Sequence, residues 1–189
     1  MRDKTEYYSV DRRGLYRSGC LVLIKERPTS CGQPFLRSHA GHFQETDIHR
    51  HILSLFPEGL SPHGWSFVTE YHCPKEIDAR WYVASDPTIE LVFEYVRRAF
   101  YPTRPSRLQS YFAFDSIERA RSFHSEGKIY RMLPTNAFRA DMTWLNISYQ
   151  FAVASYNAHQ YWRGMASNTP DWEFLLVPPI EVMPTEEAM

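Results

Sequence analysis

The sequence predicts an α+β fold, in which a single domain contains a mixed, split β-sheet with helices inserted between its strands. Three observations support this prediction. The 189 residues suit one domain, short segments rich in aromatic and β-branched residues alternate with segments of helical periodicity, and no internal repeat interrupts them. We place the domain at residues 1–178 and assign residues 179–189, which are Pro-rich and acidic, to a frayed tail.

Seven short segments carry the residue types that favour β-strands. They are Glu6–Val10, Cys20–Ile24, Trp65–Tyr71, Arg80–Ala84, Gln109–Phe114, Lys128–Leu133 and Trp172–Val177. Residues 27–44 contain several prolines and glycines and show little periodicity. We predict a long loop there, and loops of this length in a compact domain are usually functional or mobile.

Four helices are predicted from helix-start signals and from the spacing of apolar residues. They span residues 46–56, 86–100, 115–123 and 142–162. Asp86 and Pro87 have the order of an N-cap followed by proline at the first helical position. Asp115 and Glu118 form a capping box, and Gly164 ends the last helix.

The composition excludes several classes of protein. The 21 Lys and Arg residues balance 22 Asp and Glu residues, which excludes a uniformly basic nucleic-acid-binding protein but not a local basic groove. The sequence has no apolar run of membrane-spanning length and no secretory leader, so we expect a cytoplasmic protein without membrane contact. The three cysteines match no metal or disulfide pattern. Aromatic residues, at 15%, exceed what a core needs.

The signatures of several enzyme classes are missing from the sequence. We find no dinucleotide-binding, P-loop, nucleophile-elbow or zinc-protease motif. Four of the eight histidines crowd into residues 39–51. His49 and His51, however, lie two positions apart on a predicted helix, so they face different directions, and no acidic or cysteine partner has ligand spacing. We therefore expect solvated histidines and no bound metal.

Two segments contain residue types that suit a ligand site. Residues 104–116 lead from a turn with Arg104 and Arg107, through an aromatic strand at Tyr111, into a capped helix. Guanidinium groups beside a phenol suit a phosphate or a stacked ring, although an arginine-rich surface turn before a core strand explains the same residues. In the last strand Glu173 shares a face with apolar side chains. Its carboxylate is either solvated at the strand end or has a use in a pocket.

Taken together, these segments resemble the ADP-ribosyltransferase superfamily. The Tyr-Phe-Ala sequence at residues 111–113, followed by Ala120 and Phe123, resembles the "YFA…A" core of that superfamily. Glu173, which opens the last apolar strand, resembles its catalytic glutamate. Residues 8–12 stand where its first NAD-contacting strand is expected.

Two longer stretches and one departure refine the resemblance. FPEGLSPHG at residues 56–64 and RPSRLQSYFAF at residues 104–114 are similar to a family of short bacterial proteins attributed to the superfamily. One branch of the superfamily has a His-Tyr-Glu triad, and the matching place of its first-strand histidine is occupied here by Ser9. Arg12 could serve instead, as in the branch that uses arginine, and the middle aromatic residue is Phe123, not tyrosine.

The resemblance implies an ADP-ribosyltransferase-like fold and an enzyme that transfers ADP-ribose from NAD, releasing nicotinamide without a metal. Glu173 would bind the ribose and stabilise the positive charge that develops as its bond to nicotinamide breaks. Tyr111 and Phe123 would wall the nicotinamide, while Arg107 and Arg12 would hold the pyrophosphate. The predicted NAD-contacting residues are Tyr8, Ser9, Arg12, Arg107, Ser110, Tyr111 and Phe123.

The acceptor of ADP-ribose is predicted from a stretch in which basic and aromatic residues interleave. Short bacterial members of the superfamily are commonly toxins paired with an antitoxin. The stretch is either a stacking platform for unpaired bases or a solvated helix end. Its predicted acceptor-binding residues are Arg97, Arg98, Tyr101 and Arg104. We expect a toxin or phage-defence enzyme that modifies RNA in preference to DNA. The alternatives are a protein acceptor and a non-catalytic nucleic-acid-binding or partner-binding module with a degenerate NAD site.

Overall fold

A computed structural model of the chain describes residues 5–12, 14–22, 45–69, 85–147 and 150–185. The elements of these residues are, in chain order, β1 (Tyr7–Asp11), β2 (Leu21–Val22), α1 (Glu45–Leu55), α2 (Pro62–Thr69), α3 (Ser85–Phe100), the 3₁₀ turn η1 (Arg107–Gln109), β3 (Tyr111–Ala113), α4 (Ile117–Phe123), β4 (Lys128–Asp141), the 3₁₀ turn η2 (Met142–Trp144), α5 (Phe151–Arg163) and β5 (Trp172–Pro184).

The strands form one sheet with the order β1-β4-β5-β2, and β3 also pairs with β5. The two long strands β4 and β5 form its centre, and their register shifts after Pro134, which has no N–H to donate. Tyr8 and Phe114 exchange two backbone hydrogen bonds, which join β1 to the end of β3. Every pairing among the described strands is antiparallel. The α+β class is therefore confirmed, and the predicted mixed sheet is wrong.

Both faces of the sheet are buried by apolar side chains. Leu175 and Leu176 are neighbours in β5 and point to opposite faces. The Leu175 face packs against α3 and α5, where Phe93, Tyr161 and Trp162 are fully buried. The Leu176 face carries a second cluster, formed with Tyr111, Ala113, Met132, Ile180 and Val182. A third cluster joins α1, α2 and η1 through Phe56, Leu60, Trp65 and Leu108.

The clearest difference from the prediction is α2, because residues 65–71 were expected to form a strand. The hydroxyl of Ser61 instead accepts a hydrogen bond from the Gly64 N–H at 3.1 Å, and Pro62 occupies the first helical position. This start signal outweighs the aromatic, strand-favouring composition that follows it. The predicted strand at residues 80–84 and the loop at residues 27–44 lie outside the described residues.

The predicted helix over residues 142–162 is two separate elements. Strand β4 continues to Asp141, whose carboxylate accepts a hydrogen bond from the Thr143 N–H at 2.9 Å and starts η2. Helix α5 begins only at Phe151 and ends at Gly164, which has a left-handed φ of 72°. The helices predicted at residues 46–56 and 86–100 are confirmed as α1 and α3. Helix α4 is capped by Ser116, one residue later than expected.

Residues 179–184, which the sequence assigns to a tail, form the second half of β5. Ile180 and Val182 are fully buried there, and both pair with β4. On the other side Ile180 pairs with Val22 of β2, and the Val182 backbone bonds Gly19 and Cys20 just before that strand. The apolar alternation after the two prolines therefore continues the sheet. Among the helices in the described parts of the chain, none is long and apolar enough to cross a membrane.

Candidate functional site

A buried charge network joins α3, η1, α5 and β5. Its members are Glu90, Arg107, Tyr161 and Glu173, each at most 6% exposed, and we call this set the buried network. The Arg107 Nε atom donates to both carboxylate oxygens of Glu90, at 3.0 and 3.1 Å. Its Nη1 atom donates to the Tyr161 hydroxyl at 2.5 Å and to the Glu173 carboxylate. The Tyr161 hydroxyl in turn donates to Glu173 at 2.6 Å.

Charge pairing in this network overcomes the cost of burial. Burial alone would raise the pKa of Glu90, but Arg107 and His63 outweigh it and lower that pKa to about 2. Burial alone would likewise lower the pKa of Arg107, yet Glu173 and Glu90 hold it well above its usual range. Burial together with Glu173 raises the pKa of Tyr161. The network therefore contains an ionised Glu90 beside the Arg107 guanidinium, together with a neutral Tyr161 phenol.

Two aromatic contacts connect the buried network to an open cleft. The His63 Nε2 atom lies 3.1 Å from the Glu90 carboxylate, and the imidazole ring is 4.5 Å from the Phe67 ring. The Phe112 ring lies 4.6 Å from the His63 ring and 4.7 Å from the Arg107 guanidinium carbon. Both His63 and Phe112 line the cleft. The cleft wall is therefore held by residues that contact the ion pairs behind it.

The cleft lies where β1 and β3 meet, beside α2 and the end of α4, and has a volume of about 340 Å³. We call it the β1–β3 cleft. It is lined by Ser9, Val10, Asp11, Arg12, Leu15, Tyr16, Ser61, Pro62, His63, Ser66, Phe67, Ser110, Tyr111, Phe112, Phe114, Phe123 and His124. Its volume falls in the range typical of small-molecule sites, roughly 300–1,000 Å³.

One side of the cleft is ordered by hydrogen bonds from β1. The Ser9 hydroxyl donates to the Phe112 carbonyl oxygen at 2.8 Å and lies 3.4 Å from the Tyr16 hydroxyl. The Asp11 carboxylate accepts from the Tyr16 N–H at 2.7 Å. Burial raises the pKa of Tyr16 to about 12, helped by the nearby Asp11 charge, and the Tyr16 ring lies 6.2 Å from that of Tyr111. This side therefore presents neutral hydroxyl groups and aromatic faces.

The other side of the cleft is cationic and aromatic. Arg12 is exposed. The pKa of His124 is lowered, first by burial of the imidazole and second by the Arg12 charge. The Phe123 ring is 45% exposed and packs 4.6 Å from the His124 ring and 5.0 Å from the Phe114 ring. A guanidinium beside an accessible ring can bind a phosphate and stack on a heterocycle.

The predicted NAD-contacting residues divide between the cleft and the interior. Five of them line the β1–β3 cleft, namely Ser9, Arg12, Ser110, Tyr111 and Phe123. Tyr8 is instead bound to Phe114 through the backbone, and Arg107 is buried between two carboxylates. The predicted catalytic residue, Glu173, is 3% exposed and lies in the buried network, outside the cleft lining.

The predicted acceptor-binding residues lie around the C-terminal end of α3 and are tied to neighbouring protein groups. Arg97 and Arg98 both pair with the Glu94 carboxylate, at 2.8 and 2.7 Å. Arg104 donates to the Trp162 carbonyl oxygen and lies over the Phe138 ring. The Tyr101 hydroxyl forms a hydrogen bond with the Nδ1 atom of His159 at 2.9 Å. The structure thus brings these four side chains together but gives their charges internal partners.

Sequence reasoning missed two of the residues that connect the site. His63 was noted only as one of the eight histidines and within the FPEGLSPHG stretch, and Glu90 lay on the predicted helix without a role. Glu90 stands next to the buried apolar stripe of α3, and that position is the signal that could have been used. A buried carboxylate requires a charged or hydrogen-bonding partner, so the sequence could have prompted a search for one. Among the described residues, no group of three or more His, Cys, Asp or Glu side chains could hold a metal ion.

Comparison with known proteins gives a family but no activity. The chain matches, over residues 17–188, the model of a family described as "Protein of unknown function (DUF2441)". Because the match covers most of the sequence, the chain belongs to that family. The sequence matches no curated protein.

Proposed function

We propose that this member of the DUF2441 family transfers ADP-ribose from NAD to an acceptor, with NAD bound in the β1–β3 cleft. The observation that carries the proposal is the lining of the cleft. Five residues that the superfamily resemblance implies as NAD contacts, spread from Ser9 to Phe123 in the sequence, lie around one opening. The exposed Phe123 ring and the Arg12 guanidinium are groups suited to nicotinamide and pyrophosphate.

In this proposal Glu173 has the role that the resemblance implies. Its carboxylate would stabilise the positive charge that develops on the ribose as the bond to nicotinamide breaks. The carboxylate is held in place, since it accepts hydrogen bonds from Arg107 and Tyr161. It does not line the cleft, so a direct contact with the ribose requires that binding of NAD rearrange the buried network.

A second function is favoured by that same geometry. The Glu173 carboxylate is buried and neutralised by Arg107, which suits a module that binds a nucleotide or partner without cleaving NAD. The two functions share the cleft and differ in whether the glycosidic bond is broken. A chemical readout therefore separates them, whereas a binding measurement does not.

For the acceptor we propose RNA, in preference to DNA, and a toxin or defence role with an antitoxin partner. The support is the stretch around the end of α3, where the Tyr95 ring is 54% exposed and available for base stacking. Because Arg97 and Arg98 are paired with Glu94, this surface would bind nucleic acid mainly through its rings, with little salt-dependent affinity.

The experiment uses NAD labelled in its adenylate phosphate and separate pools of RNA, DNA and protein. The proposal expects label in the RNA pool with the wild-type chain, and a loss of at least a hundredfold with Glu173→Gln, which keeps the size of the side chain. Label in protein alone would contradict the RNA acceptor. Binding of NAD without transfer to any pool would favour the non-catalytic module.

A further inference from the structure

His63 and Phe112 both contact the buried network and line the cleft, and of these two side chains only His63 can accept a proton. His63 lies in the first turn of α2, where Ser61 caps the helix and the adjacent Gly64 packs against the backbone of Leu108. A Cβ at Gly64 would collide with the Leu108 carbonyl oxygen, so the helix start is fixed closely against η1. The position of His63 is therefore set by the backbone.

The orientation of the imidazole ring is also fixed. Phe67 and Phe112 contact the ring, and the Nε2 atom bonds the Glu90 carboxylate at 3.1 Å. Arg107 binds Glu90 through two N–H donors, which keeps this carboxylate ionised and able only to accept. The Nε2 atom must therefore carry the proton of the bond to Glu90. In the neutral ring, Nδ1 is then the nitrogen with the lone pair.

We infer that His63, held in this tautomer by Glu90, is the general base of the β1–β3 cleft and removes a proton from the O–H or N–H group that attacks the ribose. The inference rests on the proposed function. The nucleophile forms a bond to ribose C1′ while the bond from C1′ to the nicotinamide nitrogen breaks, and nicotinamide leaves with that electron pair. The proton of the nucleophile passes to Nδ1 of His63, and Glu90 stabilises the resulting imidazolium.

Several other charged or titratable groups face the same space. Behind the ring are Glu90 of α3 and Arg107 of η1, and the rest of the cleft contributes Asp11, Arg12, Tyr16, Tyr111 and His124. His124 is the second histidine that lines the cleft, and its pKa is lowered, first by burial and second by the Arg12 charge. Because His124 lines the cleft in which NAD is proposed to bind, the control is instead His51, an exposed histidine of α1 that lies outside the cleft lining.

The experiment compares His63→Gln with His51→Gln, after circular dichroism has shown that both are folded. Release of nicotinamide from NAD is measured between pH 5 and 9, with RNA, DNA, protein or water alone as the acceptor. For His63→Gln we expect kcat to fall by at least about a hundredfold, while KM stays within about threefold of wild type. The rise of the rate with pH that the wild-type chain shows should be lost. For His51→Gln we expect the wild-type kcat and pH profile.

The outcomes separate this inference from the proposed function. If the wild-type chain releases no nicotinamide with any acceptor, the proposed function fails, and the role of His63 fails with it. If the wild-type chain is active but His63→Gln keeps its kcat and pH profile, the proposed function stands and the inference is overturned. A rise in KM alone for His63→Gln would also overturn it, since a binding contact would explain that result.

Discussion

The buried network and the β1–β3 cleft are neighbours that use polar side chains in opposite ways. In the buried network, Arg107 is bound by Glu90, Tyr161 and Glu173 and has almost no contact with solvent. In the cleft, Arg12 is exposed and the Phe123 ring is nearly half exposed. Apart from the catalytic role proposed for Glu173, substitutions in the network should therefore act mainly on the free energy of unfolding, and those in the cleft mainly on ligand affinity.

The largest expected effect comes from removing the only cation of the buried network. Arg107→Met leaves the Glu90 and Glu173 carboxylates buried without a counter-charge, which should lower the free energy of unfolding by about 3–5 kcal/mol. Urea denaturation followed by circular dichroism measures this loss. Arg119→Met is the control, because its ion pair with Asp171 is partly exposed and should contribute less than about 1 kcal/mol. Equal losses would contradict the contrast between buried and exposed pairs.

The second effect is a dependence of stability on pH. The pKa of Glu90 is lowered from 4.5 to about 2 in the folded protein, so its contribution is complete above pH 4.5 and disappears as the pH falls towards 2. This shift corresponds to roughly 3 kcal/mol. Urea unfolding at pH 7, 4 and 3 should show the decline, and Glu90→Gln should make it shallower. An unchanged slope in that variant would show that Glu90 is not the carboxylate responsible.

The smallest effect on stability, and the clearest on binding, is expected at the rim of the cleft. Phe123→Ser removes a ring that is 45% exposed, so the free energy of unfolding should change by less than about 1 kcal/mol. Loss of stacking should weaken NAD binding by about 1–3 kcal/mol, measured by isothermal titration calorimetry. Phe151→Ser, which removes an 88% exposed ring on α5 outside the cleft lining, should leave NAD affinity unchanged. Equal NAD affinities in the two variants would show that NAD does not bind on this side of the cleft.

Local signals in the sequence predicted those parts of the fold that depend on local interactions. Helix α3 was predicted, at residues 86–100, because an N-cap, a proline and a periodic apolar face agree there, and the observed helix is Ser85–Phe100. Helix α2 was missed because Trp65 and its aromatic neighbours favour strands, and the Ser61-Pro62 start signal was not weighed against them. The second half of β5 was missed because two prolines precede it.

The part of the site formed by residues close in sequence could be predicted, whereas the part formed by tertiary contacts could not. Tyr111 and Phe123 lie close in sequence, at the start of β3 and the end of α4, and the motif that contains them was visible. The pairing of Arg107 with Glu173, 66 positions away, has no local signature. Burial of Arg107 between two carboxylates places its charge away from the cleft, so the predicted contact with pyrophosphate depends on Arg12.

The central claim is that the chain breaks the bond between nicotinamide and ribose in NAD and transfers the ADP-ribose. The most direct test incubates the wild-type chain and an RNA pool with NAD that is labelled both in its nicotinamide and in its adenylate phosphate. The amounts of released nicotinamide and of ADP-ribose are then measured. We predict one nicotinamide released for each ADP-ribose that is transferred to RNA or hydrolysed, and almost none of either with Glu173→Gln. Intact NAD after prolonged incubation with wild-type protein that binds it would contradict the account.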